Sequence, residues 1–355
     1  MSFLIPKKPQ ILYAPMLASF GGGSARGFNP GGGGGLFDFS SLTFLATPGT
    51  TYHSTNQTFI AGARVFEESN TISDYLANYD TSTNPWLSDT NFYSLVRAGF
   101  QKFTIPADGD YRFTVAGTAG ADSAGQIQGN NQGRGAIMRA EFALTEGDYV
   151  QIVVAKQTDW QGSGGGASFV SDSSNNPLIV AGGGGSIWSN SGAQPTSQAP
   201  NSTIGNASGS NSNQAQDGNG GYQSSAGYGA GAGWYTDNSS SLSNNRQSVR
   251  LYDDARGGGY KDPTGETYQG AFGGAGGAIS GGAGYSGGTG GSSPYLQGGG
   301  GSFISSTCTG NNVGTITGSA LTVSGTEPDS VYTGGGTTMG QNNVDYGYVT
   351  VQLVV

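Results

Sequence analysis

The chain has 355 residues, 67 of them glycine, with 34% hydrophobic and only 10% charged side chains and a formal net charge of −9. No basic run is present beyond Lys7-Lys8, which argues against binding nucleic acid through its phosphates, and the single cysteine, Cys308, excludes an internal disulfide framework or a cysteine-based zinc site. Low charge combined with 11% aromatics fits a folded, loop-rich β protein better than a disordered one.

Residues 1–45 are expected to form an extended arm, restrained by Pro6, Pro9 and Pro15. Its spread apolar residues Phe3, Leu4, Ile5, Ile11, Leu12, Tyr13, Met16 and Leu17 cannot bury themselves alone, so the arm is expected to dock on a partner or a neighbouring subunit. Its prolines and lysines interrupt the apolar core a signal peptide needs, so export through such a leader is not expected. Gly31–Gly35 reads as a hinge, after which Leu36-Phe37-Asp38-Phe39 begins a short strand.

Residues 46–97 read as a connector. Within it, FIAGARVFEESNTISDYLANYD (59–80) is the one segment with a helical stripe: Ile60, Ala63, Val65, Phe66, Ile72, Leu76 and Tyr79. The polar centre Glu68-Ser69-Asn70 weakens it.

From residue 98 the periodicity becomes that of strands. Phe103 and Ile105, a turn at Ala107-Asp108-Gly109, then Tyr111, Phe113 and Val115 share one face. AIMRAEFALTEGDYVQIVVAK (136–156) turns at Glu146-Gly147-Asp148, PLIVA (177–181) is an apolar run, and DYGYVTVQLVV closes the chain as a paired strand.

Between these lie glycine clusters: Gly164–Gly166, Gly182–Gly185, Gly257–Gly259, Gly273 to Gly291 and Gly298–Gly301. Ordering so much glycine is costly in backbone entropy. Bare backbones can recover that cost by packing closely and bonding to one another, as extended helices with three residues per turn do. An insertion over 186–300, rich in Asn, Ser and Gln up to residue 250, carries Trp188, Tyr222, Tyr228, Trp234 and Tyr235. These aromatics are either receptor contacts or wedges that stiffen the insertion.

The order FTIPADGDYRFTVAGTAGA, GRGAIMRAEFALTEGDYVQIVVAKQ, GSGGGASFV, PLIVAGGGGS, GGGGSFI and GYVTVQLVV resembles the glycine-rich domain of the anaplastic lymphoma kinase ectodomain, a domain type also met in phage and bacterial surface proteins. The resemblance covers residues 98–355. It implies an all-β fold, a TNF-like jelly-roll β-sandwich with polyglycine-helix insertions. The segment IPKKPQILYAPMLASFGGGSARGFNPGGGGG is similar to the start of virion tail proteins of marine tailed phages. Together they imply a non-enzymatic tail fibre or tail-associated adhesin located in the virion tail and made in the host cytoplasm. Its arm would bind other virion proteins, its loops a host surface glycan or protein, and three copies would assemble. A purely structural virion component, such as a tail adaptor or head decoration, is the main alternative, and a depolymerase a more distant one.

Chemistry finds little footing. His53, the only histidine, sits in a polar stretch and reads as a surface residue with no nucleophile elbow to serve it. A two-histidine metal motif cannot exist. Matches to G-x-G-x-x-G are expected by chance in so much glycine, no βαβ unit surrounds them, and no lysine follows a glycine as a P-loop requires. Asp253, Asp254, Asp262 and Glu266 could supply paired carboxylates or weak calcium ligands, but a solvated loop is the default reading. No cofactor, metal or membrane insertion is expected.

Overall fold

The computed structural model describes residues 36–46, 58–60, 63–66, 71–77, 79–121, 133–156, 162–187, 199–200, 202–207, 213–222, 229–237, 250–261, 267–277, 279–291, 297–309 and 347–354. Strands make up most of the regular secondary structure among these residues. The one α-helix among them has five residues, and none is long and apolar enough to cross a membrane.

Two antiparallel sheets face each other. The first contains β1 (Ser41–Leu45), β6 (Gly109–Ala116), β7 (Ile137–Leu144) and β14 (Tyr348–Val354), in the order β1-β14-β6-β7. The second contains β4 (Tyr93–Arg97), β5 (Phe100–Thr104), β8 (Tyr149–Val153), β9 (Ser168–Asp172), β10 (Pro177–Ala181) and β13 (Phe303–Ile304), in the order β13-β10-β9-β8-β5-β4. A smaller sheet joins β2 (Thr58–Ile60), β3 (Ala63–Phe66), β11 (Gly257–Lys261) and β12 (Thr267–Gln269).

Period-2 burial builds the core between the two large sheets. Phe113 and Val115 of β6, Val349 and Val351 of β14 and Phe44 of β1 meet Phe103, Ile152, Val170 and Ile179 from the opposing sheet, all fully buried. Each such side chain contributes roughly 1.5–3 kcal/mol by leaving water. Arg112 and Glu141 lie directly opposite on β6 and β7, with Arg112 Nε donating to Glu141 Oε1 at 2.8 Å.

Three expectations need correction. The 59–80 helix is confined to α1 (Ile72–Leu76), opened by Thr71 and Asp74, whose carboxylate accepts from the Thr71 N–H at 2.7 Å. Upstream the chain pairs instead as β2 and β3, with Ile60 opposite Ala63; a glycine between short β-branched and aromatic runs favours a tight hairpin over a helix. The 1–45 arm ends too late: residues 36–45 belong to the sandwich. β1 pairs with β14, Phe37 stacks on Trp86 at 4.7 Å, and Phe39 packs on Phe103 at 5.0 Å. The 46–97 connector is likewise partly core, since Tyr75, Trp86, Leu87 and Tyr93 are all buried in the same cluster. The apolar residues of the arm, Phe3 to Leu17, lie outside the described residues, as does His53.

The outer face of the six-stranded sheet is covered too. Phe100, Val153, Phe169 and Val180 point into a second core closed by Trp234, Leu251, Ala255, Phe272 and Ala283. Burial on both faces explains why β10 reads as an unbroken apolar run.

Glycine segments form that cover. The N–H groups of Gly182, Gly183 and Gly184 donate to Ser302 Oγ, the Ala283 carbonyl and the Thr118 carbonyl. Their own carbonyls accept from Ala136, Gly300 and Gly165. Three consecutive residues therefore bond to five separate stretches of chain. A strand in a sheet has two neighbours in one plane. At these glycines the bonds turn instead to a new neighbour at each residue. Gly282, Ala283 and Gly284 behave alike, donating to Gly298, Gly165 and Ala232. A Cβ on Gly183 would lie closer than 3.0 Å to the Gly165 carbonyl, so only glycine lets the backbones approach this far.

Candidate surface site on the glycine array

The insertion aromatics divide into buried and exposed. Trp234 is completely buried, edge-on to Phe169 in the second core, and cannot touch a receptor in the folded chain. Its assignment as a receptor contact is overturned: its apolar surface fills the junction between array and sheet. Tyr222 and Tyr235 are 43% and 49% exposed. Trp188 and Tyr228 lie outside the described residues.

Tyr235 belongs to an aromatic row that the sequence pattern did not single out. Its ring lies 6.4 Å from Tyr252 and 6.3 Å from Tyr285, and Tyr285 stacks on Phe303 at 4.4 Å. Arg250 sits 5.2 Å above Tyr252 and pairs with Asp253 at 2.9 Å. Burial, then the adjacent Tyr235, push the Tyr285 hydroxyl above its ordinary pKa. Gly218 (φ 78°) lies under the Tyr235 ring, where a Cβ would come closer than 3.0 Å to it. The Tyr235 N–H donates to the Gly218 carbonyl at 2.8 Å.

Tyr222 stands at an open groove of about 400 Å³ lined by Asn213, Gln214, Gln216 and Tyr222. The segment is pinned to the array. Thr289 Oγ1 donates to the Asn213 carbonyl at 2.7 Å, Gly205 to Ala215 at 3.0 Å and Gly290 to Tyr222 at 2.9 Å. A turn through Asp217 and Gly218, both at positive φ, is closed by the Asn219 N–H and Nδ2 on the Gln216 carbonyl. Ala215 is buried between exposed Gln214 and Gln216. That small alternation inside NQAQ was the only trace of the groove in the sequence.

The two acidic candidates among the described residues, Asp253 and Asp254, are both engaged with arginines. Asp253 is spent on Arg250 and Asp254 on Arg256; burial pushes the Asp254 carboxyl up against the pull of that ion pair. Asp262 and Glu266 lie outside the described residues. Among the described residues no group of three or more His, Cys, Asp or Glu side chains comes together to hold a metal. Gly284-Tyr285-Ser286-Gly287-Gly288 does have the G-x-S-x-G spacing of a nucleophile elbow, contrary to the expectation that none is present. Ser286 is fully buried, and its Oγ accepts from the Gly218 N–H at 3.1 Å, so it braces the array without the strand-to-helix turn an elbow needs.

Comparison with protein-family models finds none that matches the chain, and comparison with curated proteins finds no match. The functional reading rests on the geometry and on the resemblance in motif order.

Proposed function

We propose that this chain is a non-enzymatic structural protein of a tailed-phage virion, a tail fibre or tail-associated adhesin that displays side chains on a rigid glycine framework to a host surface. In this reading the two large sheets are a TNF-like jelly-roll, the glycine segments are polyglycine helices, and the N-terminal arm docks on other tail proteins. A homotrimer would multiply weak contacts into avidity.

One observation carries the reading. Tyr222 and Tyr235 are half exposed on segments whose backbone is tied down by hydrogen bonds. Tyrosines held in this way give contact area at small entropic cost. The carboxylates of Asp253 and Asp254, engaged with arginines, lend little to a depolymerase.

A second reading, a purely structural virion component, is favoured by the burial of Trp234, which spends a tryptophan of the array on cohesion. Binding experiments separate the two. Labelled full-length chain is incubated with intact candidate host cells and with phage-resistant mutants of them. Saturable binding lost in the mutants supports the adhesin. Absence of binding, even from chain clustered on beads, overturns it in favour of the structural component.

A further inference from the structure

The groove at 213–222 has properties that narrow what it can hold. Among the described residues its lining carries no charged side chain: Asn213, Gln214 and Gln216 bring amides and Tyr222 a phenol. A glutamine amide offers donor and acceptor side by side, matching adjacent hydroxyls that also both donate and accept. The Tyr222 ring, 43% exposed, offers a flat apolar face beside them. An anion gains nothing here: the neighbouring Asp217 is exposed and the whole chain carries −9. An apolar ligand would have to desolvate three amides for one ring. A protein partner of ordinary affinity needs about 800 Å² per side around an apolar centre, and Tyr222 alone does not provide one.

Volume and rigidity point the same way. The open groove of about 400 Å³ has room for a sugar ring. The bonds from Thr289, Gly205 and Gly290 hold the backbone of the segment before any ligand arrives, so the ordering left for binding is that of side chains.

We infer that this groove is a binding site for a neutral, hydroxyl-rich glycan, with a sugar ring stacked on Tyr222 and its hydroxyls bonded by the Gln214 and Gln216 amides. The inference rests on the reading of the chain as a host-surface adhesin and names the chemistry of its receptor.

The test uses the full-length chain against immobilised neutral oligosaccharides of glucose, galactose, mannose and N-acetylglucosamine, with sialylated and uronate-containing counterparts alongside. Neutral glycans should be retained and charged ones not. Tyr222→Ala and Gln216→Ala should each weaken retention about tenfold or more, equivalent to one good contact. Tyr222→Phe should keep most of it, and Thr145→Ala, at the remote β7–β8 turn, all of it. Retention of charged glycans only, of none, or equally by Tyr222→Ala overturns the site. Candidate host cells give a second arm. Periodate, which cleaves vicinal diols, should abolish cell binding and proteinase should spare it; the reverse outcome means a protein receptor and overturns the glycan assignment. Cell binding unchanged in Tyr222→Ala sinks the groove but leaves the adhesin standing. Glycan retention by a chain that ignores cells keeps the groove and sinks the adhesin.

Discussion

Trp234 meets Phe169 edge-on, ring centroids 5.0 Å apart and planes at 82°. One ring comes from the glycine array and the other from β9, so this pair joins two parts of the fold built on different physics. The sandwich coheres through apolar side chains, the array through backbone bonds. Trp234→Ala should open a cavity at their junction and cost about 3–5 kcal/mol. Urea titration followed by fluorescence would check it. A loss below about 1 kcal/mol would mean the array stands without this anchor.

Glycine is required at the array for space. Gly183→Ala drives a methyl against the Gly165 backbone, which cannot rotate away. The expected loss is about 3 kcal/mol, the upper range of overpacking. Gly147, in the β7–β8 turn at φ 85°, has nothing within 4 Å of where a methyl would sit, so Gly147→Ala should cost only the strain of a left-handed residue, about 1 kcal/mol. Paired thermal melts compare them; equal losses would contradict the close approach.

A closed polar network sits within the sandwich. The hydroxyls of Tyr79 and Tyr93 donate to Gln101 Oε1 at 2.9 and 2.8 Å, Gln101 Nε2 donates to the Leu45 carbonyl at 3.2 Å, and the Leu45 N–H donates to Tyr79 Oη at 3.0 Å. Gln101→Leu removes the acceptor that both hydroxyls share and the amide that donates to the Leu45 carbonyl. Each buried group left without a partner costs about 1–3 kcal/mol. Denaturant titration of Gln101→Leu should show a clear loss; wild-type stability would indicate that water replaces the amide.

The same tyrosines set the response to base. Burial foremost raises both hydroxyls well above the usual tyrosine value near 10, and for Tyr93 the neighbouring tyrosines add to the effect. Above pH 10 the unfolded chain releases these protons while the folded chain keeps them. The unfolded state then binds fewer protons, so stability falls as pH rises. Below pH 10 the contribution is complete. Each group adds a slope of about 1.4 kcal/mol per pH unit above that point. Melting temperatures between pH 7 and 9 should therefore be insensitive to these groups, then drop from pH 10 upward, and less steeply in Tyr93→Phe.

How much of this was legible depended on side chains. Tyr111, Phe113 and Val115 announce β6 because alternate burial leaves a period of two, and all three are fully buried. The apolar final strand was legible for the same reason. The neighbours of Gly182–Gly184 were not, since glycine carries no pattern that records which carbonyl it meets. Trp234 misled because a polar, glycine-rich surrounding in sequence says nothing about an apolar sheet face packed against it. The groove residues were hidden among many similar Asn and Gln. β1 was obscured by distance along the chain: Thr43 and Thr350 hydrogen bond at 3.0 Å across 307 residues.

That last pairing makes a prediction of its own. β1 covers one side of β14, with Leu42 opposite Val351 and Phe44 opposite Val349, and Phe37 and Phe39 cap the core beside it. A chain starting at residue 47 lacks all four residues. Its β14 would become an apolar edge strand with unpaired N–H and C=O groups, which invites pairing with other copies. Phe44 alone, fully buried, should cost about 3–5 kcal/mol on truncation to alanine. Light scattering and size-exclusion chromatography should find the 47–355 chain aggregated, and Phe44→Ala soluble but less stable. A monodisperse, fully cooperative 47–355 chain would show that β1 is an accessory to the sandwich and that the arm extends as far as residue 45 after all.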